Sequence, residues 1–179
     1  MKIVMKVEFD EVLAQFRSEH HADREHEANT NRQAEEILVC ADVQLRQWSK
    51  VFLGRQDILR VTLPWHISEG GNIKLIPKSG LTVEQAVEKL SSMKDRYAKE
   101  SPVCWNKIWR TDRTQFLPIF LSTKAITAPY YAGYTELDIT EGLVHLDGLH
   151  RMIAWELNGL LTDNAQVEAY VAGNLSFYV

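Results

Sequence analysis

Four residues in the last third of the chain combine features suited to binding an anion: Asp147, Gly148, His150 and Arg151. A glycine adopts backbone angles that other residues resist and lets a ligand approach the main chain closely. The histidine and the arginine supply positive charge, and a guanidinium forms paired hydrogen bonds with phosphate. The aspartate can bind Mg²⁺ or accept a proton. These residue types at this spacing predict a site for the phosphate chain of a nucleotide.

The elements on either side of these residues determine where they lie. Leu143–Leu146 is a short, mostly apolar run typical of a buried strand, and Asp147-Gly148 is a turn signal. Apolar residues then recur at roughly helical spacing up to Gly159, which is a natural helix stop. The polar residues therefore fall at a turn and on a first helical turn. Unpaired N–H groups and the helix dipole favour anions there.

The same residues also allow a purely structural interpretation. Asp-Gly is a common turn, and a histidine and an arginine on a first helical turn are often merely solvated. Spacing alone does not decide between a phosphate site and an ordinary helix start.

The segment Val144–Arg151, with Ala154 and Gly159 downstream, resembles the motif of the ParB/sulfiredoxin-like superfamily, which includes the free serine kinases. The resemblance covers roughly residues 57–179. It implies an α+β fold, in which a small mixed sheet is flanked by helices. A strand and helices at the N-terminus would be an addition to that core.

The resemblance also implies cofactors and roles. ATP or ADP with Mg²⁺ would be bound, with Gly148, His150 and Arg151 on the phosphates. Asp147 would bind Mg²⁺ or assist proton transfer, as a catalytic residue.

The loop that follows a predicted strand at 57–63 contains the candidate substrate contacts. In the free serine kinases a glutamate just after the first strand of the domain acts on the substrate hydroxyl, and Glu69 is the only acidic residue of this loop. The resemblance therefore implies Glu69 as the catalytic base. Trp65, His66 and His145 are the candidate substrate-binding residues. From the residues alone, Glu69 is equally well a solvated loop residue, and Trp65 favours packing over stacking.

One position departs from the motif. Leu149 stands where the free serine kinases tend to have a second histidine, and where sulfiredoxins have the reactive cysteine. Sulfiredoxin chemistry is therefore not expected. Cys40 and Cys104 fall on a predicted helix or loop, and neither has an activating partner nearby in sequence.

The composition narrows the classes of protein and partner. Of 179 residues, 45% are hydrophobic and 25% are charged, which is typical of a globular protein. The net charge of −4 and the pI near 5.9 give no overall attraction to nucleic acid or membrane. We expect a nucleotide and a small-molecule substrate as partners, and neither DNA nor a membrane. Two distant cysteines and the lack of a signal-peptide pattern predict the cytoplasm.

Residues 1–56 are predicted to pack on the core domain at 57–179 as one compact unit. Lys2–Phe9 alternates as a strand does, and Phe9–Phe16 has helical spacing. A capping-box pattern at Thr30 and Gln33 then predicts a long helix up to Gly54. Its buried stripe consists of Ala34, Ile37, Leu38, Ala41, Leu45, Trp48 and Phe52.

The polar stretch 18–31 contains three of the six histidines. It is either a charged loop, a metal site of His20, His21 and His26 with neighbouring carboxylates, or a loop that closes over an active site. Its spacing matches no zinc signature.

Further elements are predicted between these regions. A second capping box at Thr82 and Gln85 begins a helix whose apolar stripe reaches Tyr97. Val103–Arg113 is predicted as a short helix that buries two tryptophans, in preference to a nucleic-acid-binding strip. Strands are predicted at Leu117–Ser122 and Gln166–Val171. The long connection between Ser122 and Gly142 carries tyrosines that could line a pocket.

Two functions follow from these patterns. The first is a nucleotide-dependent phosphotransferase acting on a small hydroxylated metabolite such as an amino acid. The second is a non-catalytic nucleotide-binding or regulatory module, or an inactive scaffold.

Overall fold

A computed structural model describes residues 1–20, 31–67, 73–109, 116–129, 131–139 and 142–176. The helices in these ranges are α1 (Phe9–Glu19), α2 (Asn31–Leu45), α3 (Arg55–Leu59), α4 (Val83–Ser92), α5 (Lys94–Glu100), α6 (Pro102–Trp109) and α7 (Leu149–Leu157). The strands are β1 (Lys2–Val7), β2 (Trp48–Leu53), β3 (Thr62–Leu63), β4 (His66–Ile67), β5 (Lys74–Ile76), β6 (Leu81–Thr82), β7 (Ile119–Ser122), β8 (Val144–Asp147) and β9 (Val167–Ala172). The predicted α+β class is confirmed. No helix in the described ranges is long and apolar enough to cross a bilayer.

Seven strands form one mixed sheet in the order β1-β2-β9-β7-β8-β3-β6, and β4 pairs with β5 apart from it. β8 is antiparallel to β7 on one side and parallel to β3 on the other. The strand that carries the predicted site residues is therefore inside the sheet, where hydrogen bonds on both sides fix its position.

The sheet separates two hydrophobic cores. On one face, α1 and α2 pack on Val144 and Leu146 of β8 and on neighbouring strands. On the other face, side chains of α4, α6 and α7 form the larger core. Successive side chains of a strand point to opposite faces. His145, between Val144 and Leu146, therefore points to the face on which α7 packs.

The prediction of one long helix ending at Gly54 is wrong beyond Leu45. Arg46 has a φ of 56° and ends α2 in the left-handed conformation, a position that glycine or asparagine usually occupies. Trp48 and Phe52 then lie in β2, which pairs with β1 and β9. The apolar stripe continues across the boundary because β2 is covered on both faces and lacks a clean alternation. Thr30, the predicted cap, lies outside the described residues.

The predicted strand at 57–63 is also wrong over its first five residues. Gly54 N–H donates to Asp57 Oδ2 at 2.9 Å, which closes the first turn of α3. Only Thr62 and Leu63 are extended, as β3.

The second capping box is confirmed. Thr82 N–H donates to Gln85 Oε1 at 2.9 Å, and Gln85 N–H donates to Thr82 Oγ1 at 3.2 Å. The helix it begins is shorter than predicted, because α4 ends at Ser92 and Tyr97 belongs to α5.

α6 confirms a helix within 103–113, but it does not bury both tryptophans. Trp105 is half-buried, while Trp109 is 38% exposed and lies against Lys94. Arg110 and Arg113 lie outside the described residues.

The N-terminal elements share the sheet with the rest of the chain. β2 pairs along its length with β9, and α1 and α2 contribute to the core beneath β7 and β8. The single compact unit and the boundary at residue 56 stay predictions.

Candidate functional site

The turn between β8 and α7 has the conformation that the sequence predicts. Gly148 has a φ of 107°, and a Cβ at this position would lie 2.6 Å from Ile119 Cγ2. The glycine is therefore required both by its own backbone angle and by packing against β7. The close approach it permits is to Ile119, within the protein.

The far end of α7 is also fixed by its backbone. Gly159 has a φ of 68°, its N–H donates to Glu156 O at 3.0 Å, and Leu160 N–H donates to Trp155 O at 2.8 Å. This is the Schellman pattern of hydrogen bonds, which confirms the predicted stop. Met152, Ile153 and other apolar residues of the helix are buried, so α7 holds its first turn rigidly against the sheet.

Arg151 lies in a buried ion cluster. Its Nη1 donates to Glu19 Oε2 at 2.7 Å, and its Nη2 donates to Asp147 Oδ2 at 2.5 Å. The side chains of Arg151 and Glu19 are only 6% and 7% exposed. Two carboxylates from different elements therefore share one guanidinium. Arg151 does not project freely into solvent.

His20 completes this cluster at the end of α1. Its Nε2 lies 3.4 Å from Asp147 Oδ2, its Nδ1 lies 2.9 Å from Phe16 O, and its ring stacks on the Phe16 ring. Burial lowers the pKa of His20, and the contacts with Asp147 and Phe16 O raise it. The contacts together have the larger effect, so the pKa lies above its ordinary value.

The Asp147 side chain is an ionised carboxylate at neutral pH. Burial raises its pKa, but the positive charges of Arg151 and His20 outweigh this effect and hold the pKa far below its ordinary value. Its charge is already shared by Arg151 and His20, and the Mg²⁺ that the sequence predicts at Asp147 stays a prediction.

His145 caps α7 through its side chain. Leu149 N–H donates to His145 Nε2 at 3.0 Å, so the ring is neutral and its proton resides on Nδ1. Burial lowers the pKa of this histidine to about 4. Nδ1 is buried and has no hydrogen-bond partner among the described residues. This cap leaves a donor inside the protein beside Asp147 and Arg151.

Two tyrosines of the long connection bind the backbone of this region. Tyr134 OH donates to His145 O at 3.0 Å, and Tyr131 OH donates to Trp65 O at 2.7 Å. Burial raises the pKa of Tyr131 to about 12 and raises that of Tyr134, so both remain donors. These contacts tie the connection to β8 and to the loop before β4. Tyr130 lies outside the described residues.

His66, Cys104 and His150 form a second polar cluster. Cys104 Sγ is 3.6 Å from His66 Nε2, and the His66 and His150 rings meet edge to face with centroids 5.2 Å apart. One possible ligand atom from each of the three residues lies within 4.8 Å of the other two. Cys104 has no partner nearby in sequence, as predicted, but tertiary packing brings two histidines from distant segments to it.

The structure thus brings together most of the predicted site residues. Asp147, Gly148, His150 and Arg151 surround the start of α7, with His145 beneath it and His66 beside His150. Trp65 is half-buried and contributes its carbonyl oxygen to the tyrosine contact. Glu69 lies outside the described residues, so its role as a base stays a prediction.

The sequence pattern did not identify Glu19 or Cys104 as members of the site. Glu19 and His20 lie near the start of the polar stretch 18–31. One predicted role of that stretch is a loop over an active site, but the pattern does not indicate which residues it contacts. Residues 21–30, with His21 and His26, lie outside the described residues. Cys104 gave no local signal, because its partners are brought to it by tertiary packing alone.

Together, the mixed sheet and the charged turn before α7 define an α+β protein with a strand–turn–helix site. The chain belongs to DUF6309, a family of unknown function, whose sequence model matches residues 1–178. No curated protein and no solved structure matches it. The resemblance to the ParB/sulfiredoxin-like superfamily therefore stays a prediction based on the motif.

Proposed function

We propose that this protein binds ATP or ADP with Mg²⁺ at the start of α7 and transfers a phosphoryl group to a small hydroxylated metabolite. The observation that carries the proposal is the left-handed Gly148 between a buried strand and a helix. It places Asp147 and Arg151 together at a helix N-terminus, where backbone dipoles favour phosphate. The proposed location is the cytoplasm, and the proposal involves neither DNA nor a membrane.

The ion cluster suggests how phosphate would enter. Arg151 already donates to Glu19 and Asp147, so its guanidinium is occupied without a ligand, and the charges of the cluster balance when His20 is protonated. A phosphate group would take the place of the Glu19 carboxylate on the guanidinium. Asp147 would remain on Nη2 and offer its other oxygen to Mg²⁺, which would neutralise the added charge.

The buried histidine supports a place for the acceptor. His145 Nδ1–H is a donor with no acceptor among the described residues, and burying an unpaired donor is costly. A hydroxyl oxygen of the substrate would satisfy it. Transfer then requires mainly that acceptor and phosphate be held in line, with Glu69 as the proposed base that takes the hydroxyl proton.

The experiment is an assay of phosphoryl transfer by ³¹P NMR. The full chain is incubated with Mg-ATP or Mg-ADP and a panel of amino acids and small alcohols. The wild type should form a phosphate ester, and Asp147→Asn and Glu69→Gln should reduce its rate by about 100-fold or more. Asp163→Asn changes an exposed aspartate in the turn after α7, so it is the matched control and should keep full activity. The absence of any ester across the panel would refute the catalytic proposal.

One observation favours a second candidate, a nucleotide-binding module without catalysis. Arg151 and Asp147 are paired at 2.5 Å in a cluster that is nearly closed to solvent. A site whose arginine is already paired with protein carboxylates suits a ligand-controlled switch. In such a switch, nucleotide would displace Glu19 from Arg151 and so release α1 from α7. Saturable nucleotide binding without turnover would support this function over the first.

A further inference from the structure

We propose that His66, Cys104 and His150 form a binding site for a transition-metal ion, with Zn²⁺ as the expected ion. The three residues come from β4, α6 and the first turn of α7. This site is separate from the predicted Mg²⁺ position at Asp147. Its occupation does not depend on whether the protein binds nucleotide.

The distances suit a tetrahedral ion. With a Zn–S bond of about 2.3 Å and Zn–N bonds of about 2.0–2.1 Å, tetrahedral angles place sulfur and nitrogen about 3.6 Å apart. Cys104 Sγ and His66 Nε2 are 3.6 Å apart. All three ligand atoms lie within 4.8 Å of one another. Binding of the ion would bring every pair of ligand atoms to about 3.3–3.6 Å.

The ligand types select the metal. A thiolate with two imidazoles is a soft and borderline donor set, which favours Zn²⁺ over Mg²⁺ and Ca²⁺. Cys104 is fully buried while both histidines are half-buried. The buried thiolate would therefore bind the ion from the interior of the protein, and solvent would reach the ion past the two histidines.

The scaffold around the ligands is packed. Cys104 belongs to the larger core, together with Ile108 of the same helix and with Met152 and Ile153 of α7. His66 is paired with Ile76 in the antiparallel β4–β5 pair. Ligands on packed elements lose little freedom on binding, which favours a preformed site.

The number of ligands indicates the kind of site. The described residues supply three, so a tetrahedral ion keeps a fourth position for water or for a substrate oxygen. Three protein ligands with an open position are typical of zinc sites that activate water or polarise a substrate. In this inference His150 binds the ion, and phosphate binding falls to Arg151 and the backbone of α7.

The test is a titration of the metal-free full chain with Co²⁺, followed by absorption spectroscopy and by competition with Zn²⁺. The wild type should bind one equivalent with a thiolate-to-cobalt charge-transfer band and the intense visible bands of tetrahedral cobalt. Cys104→Ser should abolish the charge-transfer band. His66→Gln and His150→Gln should weaken binding by more than the 10- to 100-fold that loss of an outer-shell partner costs.

Cys40→Ser is the matched control, because Cys40 is the other free cysteine and lies on α2 away from the cluster. It should bind Co²⁺ as the wild type does. A wild type that binds no Co²⁺ at micromolar concentration would overturn the proposal, and this result needs no variant to fold. A charge-transfer band that survives Cys104→Ser would overturn it as well.

A nucleotide titration of Cys104→Ser separates this proposal from the proposed function. Loss of the cobalt band with retained nucleotide binding supports the metal site as an independent feature. A failed cobalt titration in a wild type that binds nucleotide overturns the metal site alone.

Discussion

Arg151 and Glu19 form an ion pair of 2.7 Å although 132 positions separate them in the chain. The pair joins the end of α1 to the first turn of α7, and Asp147 shares the same guanidinium. This ion pair explains why Arg151 is buried although its motif resembles a phosphate-binding one. Under the proposed function, Glu19 occupies the guanidinium donor that a phosphate group would take.

Removing the guanidinium should destabilise the fold. Arg151→Ala leaves the Glu19 and Asp147 carboxylates buried without their shared partner, and breaking such a buried pair costs about 3–5 kcal/mol. Arg96→Ala is the control, since Arg96 is 67% exposed and forms only a surface pair with Glu100. It should change the free energy of unfolding by about 0.5 kcal/mol or less. Urea denaturation at neutral pH measures both values, and similar losses in the two variants would contradict the role of the cluster.

Two glycines with positive φ should respond differently to alanine. Gly148→Ala adds a Cβ that meets Ile119 Cγ2 at 2.6 Å, whereas a Cβ on Gly159 meets nothing within 4 Å. Both variants carry the strain of a left-handed alanine, about 1–2 kcal/mol. Thermal unfolding should therefore show a clearly larger loss for Gly148→Ala. Equal losses would mean that packing against β7 does not fix the turn.

The stability of the fold should depend on the protonation of His145. Its folded-state pKa of about 4 lies below its ordinary value of 6.5, so the unfolded chain takes up the proton first as pH falls. Stability is therefore lost between about pH 6.5 and 4, by roughly 3 kcal/mol in total at about 1.4 kcal/mol for each pKa unit. His145→Gln should remove this part of the pH dependence. The comparison is a set of urea denaturations across that pH range.

His20 should make stability depend on pH in the opposite direction to His145. Its pKa is raised in the fold, so its stabilising contact with Asp147 is fully present below pH 6.5 and is lost as the pH rises through the raised value. Histidine-selective NMR titration distinguishes the two rings directly. A His20 that loses its proton before an exposed histidine would contradict the contact with Asp147.

The local parts of this structure were predictable from sequence, and the long-range parts were not. The turn at Gly148 and the cap formed by Thr82 and Gln85 each depend on residues a few positions apart, whose backbone requirements are visible in the sequence. The end of α2 was missed because Arg46 takes the left-handed position without the usual glycine. β2 was missed because its burial on both faces resembles the stripe of a buried helix.

The candidate site divides in the same way. Asp147, His150 and Arg151 lie on one strand–turn–helix unit, so one motif identified them. Glu19 and Cys104 reach that unit from elements far away in sequence, and only the packing of α1 and α6 against it brings them there. The spacing of residues along the chain does not indicate contacts that only tertiary packing creates.

The most direct test of the phosphate site is the affinity for Mg-ATP and Mg-ADP of the wild type and of Glu19→Gln, measured by isothermal titration calorimetry. Glu19→Gln removes the charge that competes for Arg151, so nucleotide should bind about 10-fold tighter or more, and a gain in affinity cannot result from misfolding. Glu136→Gln, a surface change of the same charge, should bind as the wild type does. If neither the wild type nor Glu19→Gln binds nucleotide at millimolar concentration, or if Glu19→Gln binds no tighter, phosphate does not bind at Arg151.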